Sequence, residues 1–402
     1  LAFNGAFNAD PDGYRALASN LLEYGVFGAG RRPSAYRPPL YPLLLVPCET
    51  LDHEAQSRIA LGLLHVSLGA ATALVTLWLG RRWGLGRWSA LAAALTACDP
   101  ILLNQSTLVM TETLAAFLAC AALAALTWTE ARPGAKRAAL AGIALGLAAL
   151  CRPTFLAWAA LAALAWVVLR QRRRRLVVPF ALLVSLVLTL APWMLRNLLQ
   201  FGRPIATTTH GGYTLLLGNN PEYYAFLEQA GWGDVWQADQ FDREVSLARA
   251  EAGDNEVRAD QREYAQAWQA IGAHPRPFLK ASVARLGNFW GVLPHRTGED
   301  RGLRRHALRY AAASWYSAEF VLAVAGLCIL RSRLWRSAWL WGVLLAASLT
   351  SVHALYWSDM RMRAPLAAVV ALLAARGFAS FWDRALRRKT ASALDLKTDS
   401  PA

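Results

Sequence analysis

Three carboxylates and five arginines stand out in a mostly apolar sequence. Asp10 and Asp12 lie in Asn8-Ala9-Asp10-Pro11-Asp12-Gly13-Tyr14, ahead of an amphipathic run through Leu17, Leu21, Leu22 and Tyr24. Glu112 follows Thr111 at the head of an apolar stretch. Arg37 precedes Pro38-Pro39-Leu40, Arg152 sits between Cys151 and Pro153, Arg196 follows Ala191-Pro192-Trp193-Met194-Leu195, and Arg361 and Arg363 flank Met362. A carboxylate can take the proton of an attacking hydroxyl, and guanidiniums can hold a phosphate as it leaves. The combination suits transfer from a lipid-linked phosphate, provided that the fold gathers these groups.

Each residue also has a plainer reading. Asp10 fits a helix N-cap, with Pro11 at the first helical position. Arg37 could anchor to lipid phosphates in general. Thr111 could cap a helix whose dipole Glu112 complements, although an ionised group at the mouth of an apolar helix is costly unless it faces a cavity or partner. Arg361 could simply pair with Asp359.

The elements that must position these groups are set by composition. The 402 residues are 55% hydrophobic and only 17% charged, with mean hydropathy +0.26. That is too apolar for a soluble chain of this length and excludes disorder. Nine apolar stretches occur, at 59–79, 88–105, 110–128, 137–150, 153–169, 176–195, 314–330, 337–353 and 364–381. Crossing a bilayer takes about 20 residues. The 137–150 stretch is the weakest and is joined to the next by Cys151-Arg152-Pro153, which reads as a tight helical hairpin. The expected fold is an all-α polytopic membrane protein with about nine transmembrane helices, and a further helix is expected before Leu1. Its segments are a first loop with a juxtamembrane helix (1–58), six spans (59–195), a mostly helical cap (196–313), three spans (314–382) and a tail (383–402).

Charge gives the sidedness. The connections 81–87, 130–137, 170–175 and 331–336, with the tail after 381, carry 19 Lys/Arg against four acids, a surplus that equals the whole net charge of +15. The segments 1–58 and 196–313 carry balanced charge between them. The positive-inside rule then puts the basic connections and the C-terminus in the cytoplasm, and both large polar segments outside a plasma (inner) membrane. The basic pI reflects this orientation, and no nucleic-acid partner is expected.

Three prolines in Arg37-Pro38-Pro39-Leu40-Tyr41-Pro42 suggest a rigid, non-helical approach to the membrane. Gly/Asn/Pro clusters at 211–221 suggest a loop-rich platform, followed by helical patterns at about 240–271 and 278–291. The five scattered Cys form no CxxC pair and read as apolar packers. There is no P-loop, HExxH or GxSxG elbow. His210 and His295 fall in outer loops, where they could bind a metal or substrate or lie idle.

In order, the motifs are Asp10-x-x-x-Tyr14, Arg37-Pro-Pro-Leu40, Thr111-Glu112, Cys151-Arg-Pro153, Ala191-Pro-Trp-x-x-Arg-Asn197 and Arg361-x-Arg-x-Pro365. Taken together they resemble the C-type (GT-C) glycosyltransferase superfamily, in the bacterial branch related to protein O-mannosyltransferases and aminoarabinose transferases (families 39 and 83). The resemblance spans nearly the whole chain. It implies a polyprenyl-phosphate sugar donor and inverting transfer to an extracytoplasmic lipid, glycan or protein hydroxyl. It places the catalytic carboxylate on Asp10, with Asp12 as runner-up, and the second acidic position on Glu112. Donor phosphate contact falls to Arg37, with Arg152, Arg196, Arg361 and Arg363 as further candidates. In the aminoarabinose transferases a metal-binding Glu precedes the basic residue, where this chain has Tyr36. A divalent cofactor is therefore left open, since the carboxylates could hold an ion or act alone.

Two other functions fit such a chain. A transporter of lipid-linked sugars would favour internal repeats and helices broken at mid-membrane, and no repeat is found. A non-catalytic scaffold for envelope assembly would not need both Asp10 and Glu112.

Overall fold

The computed structural model describes residues 7, 9–51, 53–169, 176–231, 234–253, 255–294 and 303–398. It is a helical bundle with a helical cap. The first segment holds α1 (Tyr14–Tyr24), a hairpin of β1 (Gly28–Ala29) antiparallel to β2 (Arg32–Pro33), and α2 (Leu40–Glu49). The bundle begins with α3 (Glu54–Arg82), α4 (Ser89–Ala97), α5 (Pro100–Gln105), α6 (Glu112–Ala131), α7 (Ala135–Cys151), α8 (Phe155–Leu169) and α9 (Val177–Phe201). The cap comprises α10 (Gly211–Gly218), α11 (Pro221–Gln229), α12 (Asp239–Glu251), α13 (Glu256–Ala273) and α14 (Pro275–Phe289). α15 (Leu303–Leu330), α16 (Arg333–Arg336), α17 (Trp339–Leu355) and α18 (Ala367–Thr398) complete the bundle.

Five helical spans among the described residues are long and apolar enough to cross a membrane: Glu54–Arg82, Glu112–Ala131, Val177–Phe201, His306–Leu330 and Met360–Arg384. The chain is a polytopic membrane protein. α8 and α17, with 15 and 17 residues, are apolar but shorter. The stretch 88–105 is two helices rather than one. Asp99 breaks it by capping α5, its Oδ1 accepting from the Leu102 N–H at 2.9 Å, with Pro100 at the first position. α7 ends at Cys151 and α8 begins at Phe155, the tight hairpin expected there.

Within a bilayer, helices gain little from hydrophobic association, so close backbone packing must hold them together. Two glycine contacts provide it. A Cβ at Gly142 of α7 would lie 2.1 Å from the Leu182 carbonyl oxygen of α9. Cβ atoms at Gly326 and Gly377 would lie 2.1 Å from the carbonyl oxygens of Leu373 and Leu322, so α15 and α18 meet backbone to backbone.

The bundle has two chemically distinct ends. At one, Trp339 donates to the Trp83 carbonyl, Trp83 donates to Thr127, and Arg87 approaches Asp383 at 3.9 Å. These contacts gather the end of α3, with Arg81 and Arg82 in its last turn, the last turns of α6, the start of α17 and the part of α18 around Asp383. The opposite end gathers the starts of α6, α8 and the segment leading to α18, together with the 7–51 region. The basic loop at 170–175 lies outside the described residues.

Local structure departs from expectation in three places. α2 is helical from Leu40 despite Pro42, because the first turn has no intrahelical N–H bonds for proline to remove. The 240–271 pattern is two helices, separated near Gly253, whose φ of 58° is the left-handed value that stops α12. The Gly211-Gly212 pair starts α10 rather than a turn. A Cβ on Gly212 would sit 2.1 Å from the Asp260 carbonyl oxygen, so these glycines let α10 lie directly on α13.

Candidate active site

The loop before α1 is built around Asp10. Its Oδ1 accepts from the Tyr14 N–H at 2.8 Å, and its Oδ2 accepts from those of Arg15 and Ala16 at 2.9 and 3.1 Å. Asp10 therefore caps α1 from outside the helix, which starts at Tyr14 after Gly13 (φ 71°) rather than at Pro11. Arg15 then ties the three outer elements together, bonding Glu49 at 2.7 Å and Glu54 at 2.9 Å. Tyr14 is buried edge-on against Tyr41. Burial, reinforced by the charge of Asp12, keeps its phenol protonated far above neutral pH.

Asp12 points differently from Asp10. Its Oδ1 accepts from Arg37 Nη2 at 2.9 Å, and that guanidinium lies over the rings of Tyr14 and Tyr36 at 5.7 and 5.4 Å. Tyr14 and Arg361 are each within electrostatic reach of both Asp12 and Glu112. The first-loop acid and the residues at the head of α6 therefore border one locus.

Glu112 is 0% exposed. Its Oε1 stands 2.8 Å from Arg152 Nη2 and 3.4 Å from Arg361 Nη1. Arg152 also donates to Thr111 Oγ1 at 3.0 Å, so Thr111 holds a guanidinium and makes no side-chain cap. Arg361 is shared with Asp359, whose Oδ2 is 3.0 Å from its Nε. Glu112 faces cationic partners and also stands in the first turn of α6, where the helix dipole favours it; of the expected arrangement only the Thr111 cap is not formed. Arg152 and Arg361 share Glu112, Arg361 also pairs with Asp359, and the Asp12–Arg37 pair lies within electrostatic reach of them, a charge-balanced set that an incoming anion can enter by exchanging partners.

Arg196 and Arg363 lie elsewhere. Arg196 donates to the carbonyls of Ser34 and Phe27 at 2.9 and 2.7 Å, fixing the hairpin. Arg363 donates to the carbonyls of Phe289 and Gly291 and lies 4.2 Å from the Tyr316 ring centroid. Both act as staples between segments, a role that spacing alone does not separate from phosphate contact.

On the cap side, the neighbour of Arg37 is Tyr36, whose ring meets His210 edge-on at 4.3 Å. His210 in turn stacks on Tyr213 at 5.2 Å. Burial, with Arg37 and Arg249 adding, pushes the His210 imidazole down to about 3, so it is neutral. Arg249 spreads over both Tyr36 and Tyr213 at 5.5 Å and pairs with buried Glu263 at 2.6 Å. Sequence reading missed Arg249 and Glu263, since surface-like helical charge carries no signal of a distant aromatic partner. It missed Arg285 as well. That fully buried guanidinium donates to the Ala354 and Gly218 carbonyls, joining cap to bundle.

The donor set does not suit a divalent ion as arranged. Both Asp10 oxygens accept backbone N–H groups, Asp12 and Glu112 are held by arginines, and Tyr36 stands before Arg37. Among the described residues no three His, Cys, Asp or Glu side chains come together to hold a metal. His295 lies outside the described residues. A cavity of about 410 Å³ does not coincide with the ion-pair array; it lies in the cap between α12 and α13.

The profile of glycosyltransferase family 87 matches residues 36–226. No curated protein sequence matches the chain. Among solved structures, it is similar to the archaeal oligosaccharyltransferase AglB from Archaeoglobus fulgidus in complex with an inhibitory peptide and a dolichol-phosphate. That match has TM-score 0.50 and 17% identity, over 97% of this chain and 48% of the other. The Archaeoglobus fulgidus oligosaccharyltransferase in complex with Zn and sulfate matches with TM-score 0.52 and 16% identity, over 96% and 46%. ArnT from Cupriavidus metallidurans bound to undecaprenyl phosphate matches with TM-score 0.40 and 14% identity, over 93% and 74%. The chain spans about half the length of the oligosaccharyltransferases it matches. It shares its helical membrane fold with these oligosaccharyltransferases, and the profile of glycosyltransferase family 87 covers just under half of it.

Proposed function

We propose that this protein transfers a sugar from a polyprenyl-phosphate donor to a hydroxyl acceptor on the extracytoplasmic side of the plasma (inner) membrane. The observation that carries the reading is the buried Glu112 carboxylate between Arg152 and Arg361, with the Asp12–Arg37 pair bordering the same locus. The family 87 match supports glycosyl transfer. A structural neighbour bound to a dolichol-phosphate motivates the choice of carrier. Orientation rests on the arginine-rich opposite end of the bundle, which the positive-inside rule assigns to the cytoplasm along with the C-terminus.

The donor phosphate draws Arg37, Arg152 and Arg361 from their resting carboxylates. The acceptor oxygen attacks the anomeric carbon on the face opposite the phosphate, so configuration inverts. The C–O bond to phosphate breaks, and its electron pair leaves on polyprenyl phosphate, whose growing negative charge the guanidiniums stabilise. The acceptor proton passes to a first-loop carboxylate: Asp10 by family order, Asp12 by its place beside Arg37. Asp10 otherwise fixes the loop by capping α1. Arg196 and Arg363 keep the hairpin and the 289–291 turn in place and are not assigned to the phosphate.

The test is transfer from a radiolabelled undecaprenyl-phosphate sugar in membranes carrying Asp10→Asn, Asp12→Asn or Arg361→Met. Loss of transfer in one aspartate variant, with expression and melting temperature held, identifies the base. Full transfer in all three variants would overturn the proposal.

A further inference from the structure

The cavity in the cap is walled by α12 and α13 and closed from α10–α11 by Asn220, outside the ion-pair array. Its volume of about 410 Å³ falls within the range of small-ligand sites, about 300–1,000 Å³. Two observations give it chemical character. Glu263 lines it and is 3% exposed, with one oxygen held by Arg249 and the other, Oε2, without a hydrogen-bond partner. A buried carboxylate oxygen left bare costs free energy, so the site lacks a donor that a ligand could supply. The charges of the lining also cancel, Arg249 and Arg262 against Glu244 and Glu263, while Gln266 and Gln269 at the mouth can both donate and accept.

We propose that this cavity is a binding site for a neutral saccharide, the part of a glycan acceptor remote from the hydroxyl that reacts at the donor site in the reaction proposed above. A sugar hydroxyl donates to Glu263 Oε2, and neighbouring hydroxyls exchange hydrogen bonds with the two glutamines. An anionic ligand is disfavoured, because the bare group is itself an anion. The site communicates with the donor through one side chain. Arg249 pairs with Glu263 in the cavity wall and also spreads over Tyr36, whose ring carries the Arg37 guanidinium on the donor side. Saccharide engaging Glu263 therefore bears on the residue that seats Arg37. Because the acceptor role rests on the transferase reading, binding is measured apart from activity.

The experiment is saturation-transfer NMR on the full chain in nanodiscs, with maltotriose and methyl α-mannoside as neutral probes and mannose 6-phosphate as the anionic one. The expected result is transfer to at least one neutral sugar and none to the phosphate. Glu263→Gln should weaken neutral binding about tenfold, the scale of one hydrogen bond to a charged group. Gln266→Trp, at an exposed rim position that leaves the core untouched, should abolish it. Absence of neutral-sugar binding in the wild type, equal binding in Gln266→Trp, or preference for the phosphate would each overturn the site. Loss of radiolabel transfer in Gln266→Trp, with expression and melting temperature held, would support its acceptor role. Unchanged transfer would overturn that role and leave the donor reaction standing.

Discussion

Replacing Glu112 by Gln tests the energetics of the array most sharply. The carboxylate is wholly buried and serves two cations, Arg152 at 2.8 Å and Arg361 at 3.4 Å. They are not equally dependent on it. Arg361 keeps Asp359 at 3.0 Å, whereas among the described residues Arg152 keeps only the neutral Thr111 hydroxyl at 3.0 Å and the Met362 sulfur at 3.8 Å. Removing the negative charge therefore strands Arg152, and a buried ion that loses its partner costs roughly 3–5 kcal/mol. We expect Glu112→Gln to destabilise by about that amount in SDS mixed-micelle unfolding. Adding Arg152→Met removes the stranded charge and should recover about half or more of the loss, because an apolar pair of similar volume tolerates burial. Adding Arg361→Met should recover little, since Asp359 would then lose its partner. A cost under about 1 kcal/mol for Glu112→Gln, or strict additivity with Arg152→Met, would refute the assignment of Arg152 as the dependent cation.

Other expectations follow from single contacts. Gly142→Leu should force α7 away from α9, because even a Cβ would meet the Leu182 carbonyl at 2.1 Å, and the same unfolding assay should show a loss of at least about 1–3 kcal/mol. Arg363→Met should lower stability far more than Arg361→Met does, since Arg363 is buried against the carbonyls of Phe289 and Gly291, while transfer per folded molecule should fall more in Arg361→Met. His210 is neutral in the fold with its value pushed from 6.5 down to about 3, so the unfolded chain takes up a proton first as pH falls. Its contribution is complete above about pH 6.5 and declines from there toward pH 3; His210→Phe should flatten that part of the melting-temperature profile, and an unchanged slope would refute it.

The sequence carried the fold wherever one residue type had one physical use. Long apolar runs without charge have no other home than a bilayer, and arginines at alternate connections marked one end of the bundle before any contact was known. Legibility fell where a side chain made a local bond that the pattern cannot weigh. Asp99 looks like a turn residue inside an apolar run, yet its bond to the Leu102 N–H divides that run into two helices. Pro42 looks like a helix breaker, yet it sits in a first turn that lacks the bond it would break. Gly211 and Gly212 look like a loop, and their purpose appears only once Tyr264 and the Asp260 backbone lie against them.

The site was legible as a set of residues but not as a division of labour. An arginine at the end of a membrane helix is expensive, so Arg152, Arg196, Arg361 and Arg363 each need a compensating partner. Two different compensations exist for it. Arg152 and Arg361 meet carboxylates, which can be exchanged for another anion, so these arginines can be lent to a phosphate. Arg196 and Arg363 meet backbone carbonyls and aromatic faces, which belong to the fold and cannot be released without opening it. The same distinction separates the first-loop acids: Asp10 is engaged by the N–H groups of α1, and Asp12 by an arginine. Exchangeable partners, rather than charge or burial alone, are what make a buried ion available for chemistry, and no spacing in a linear sequence records which partner a side chain will find.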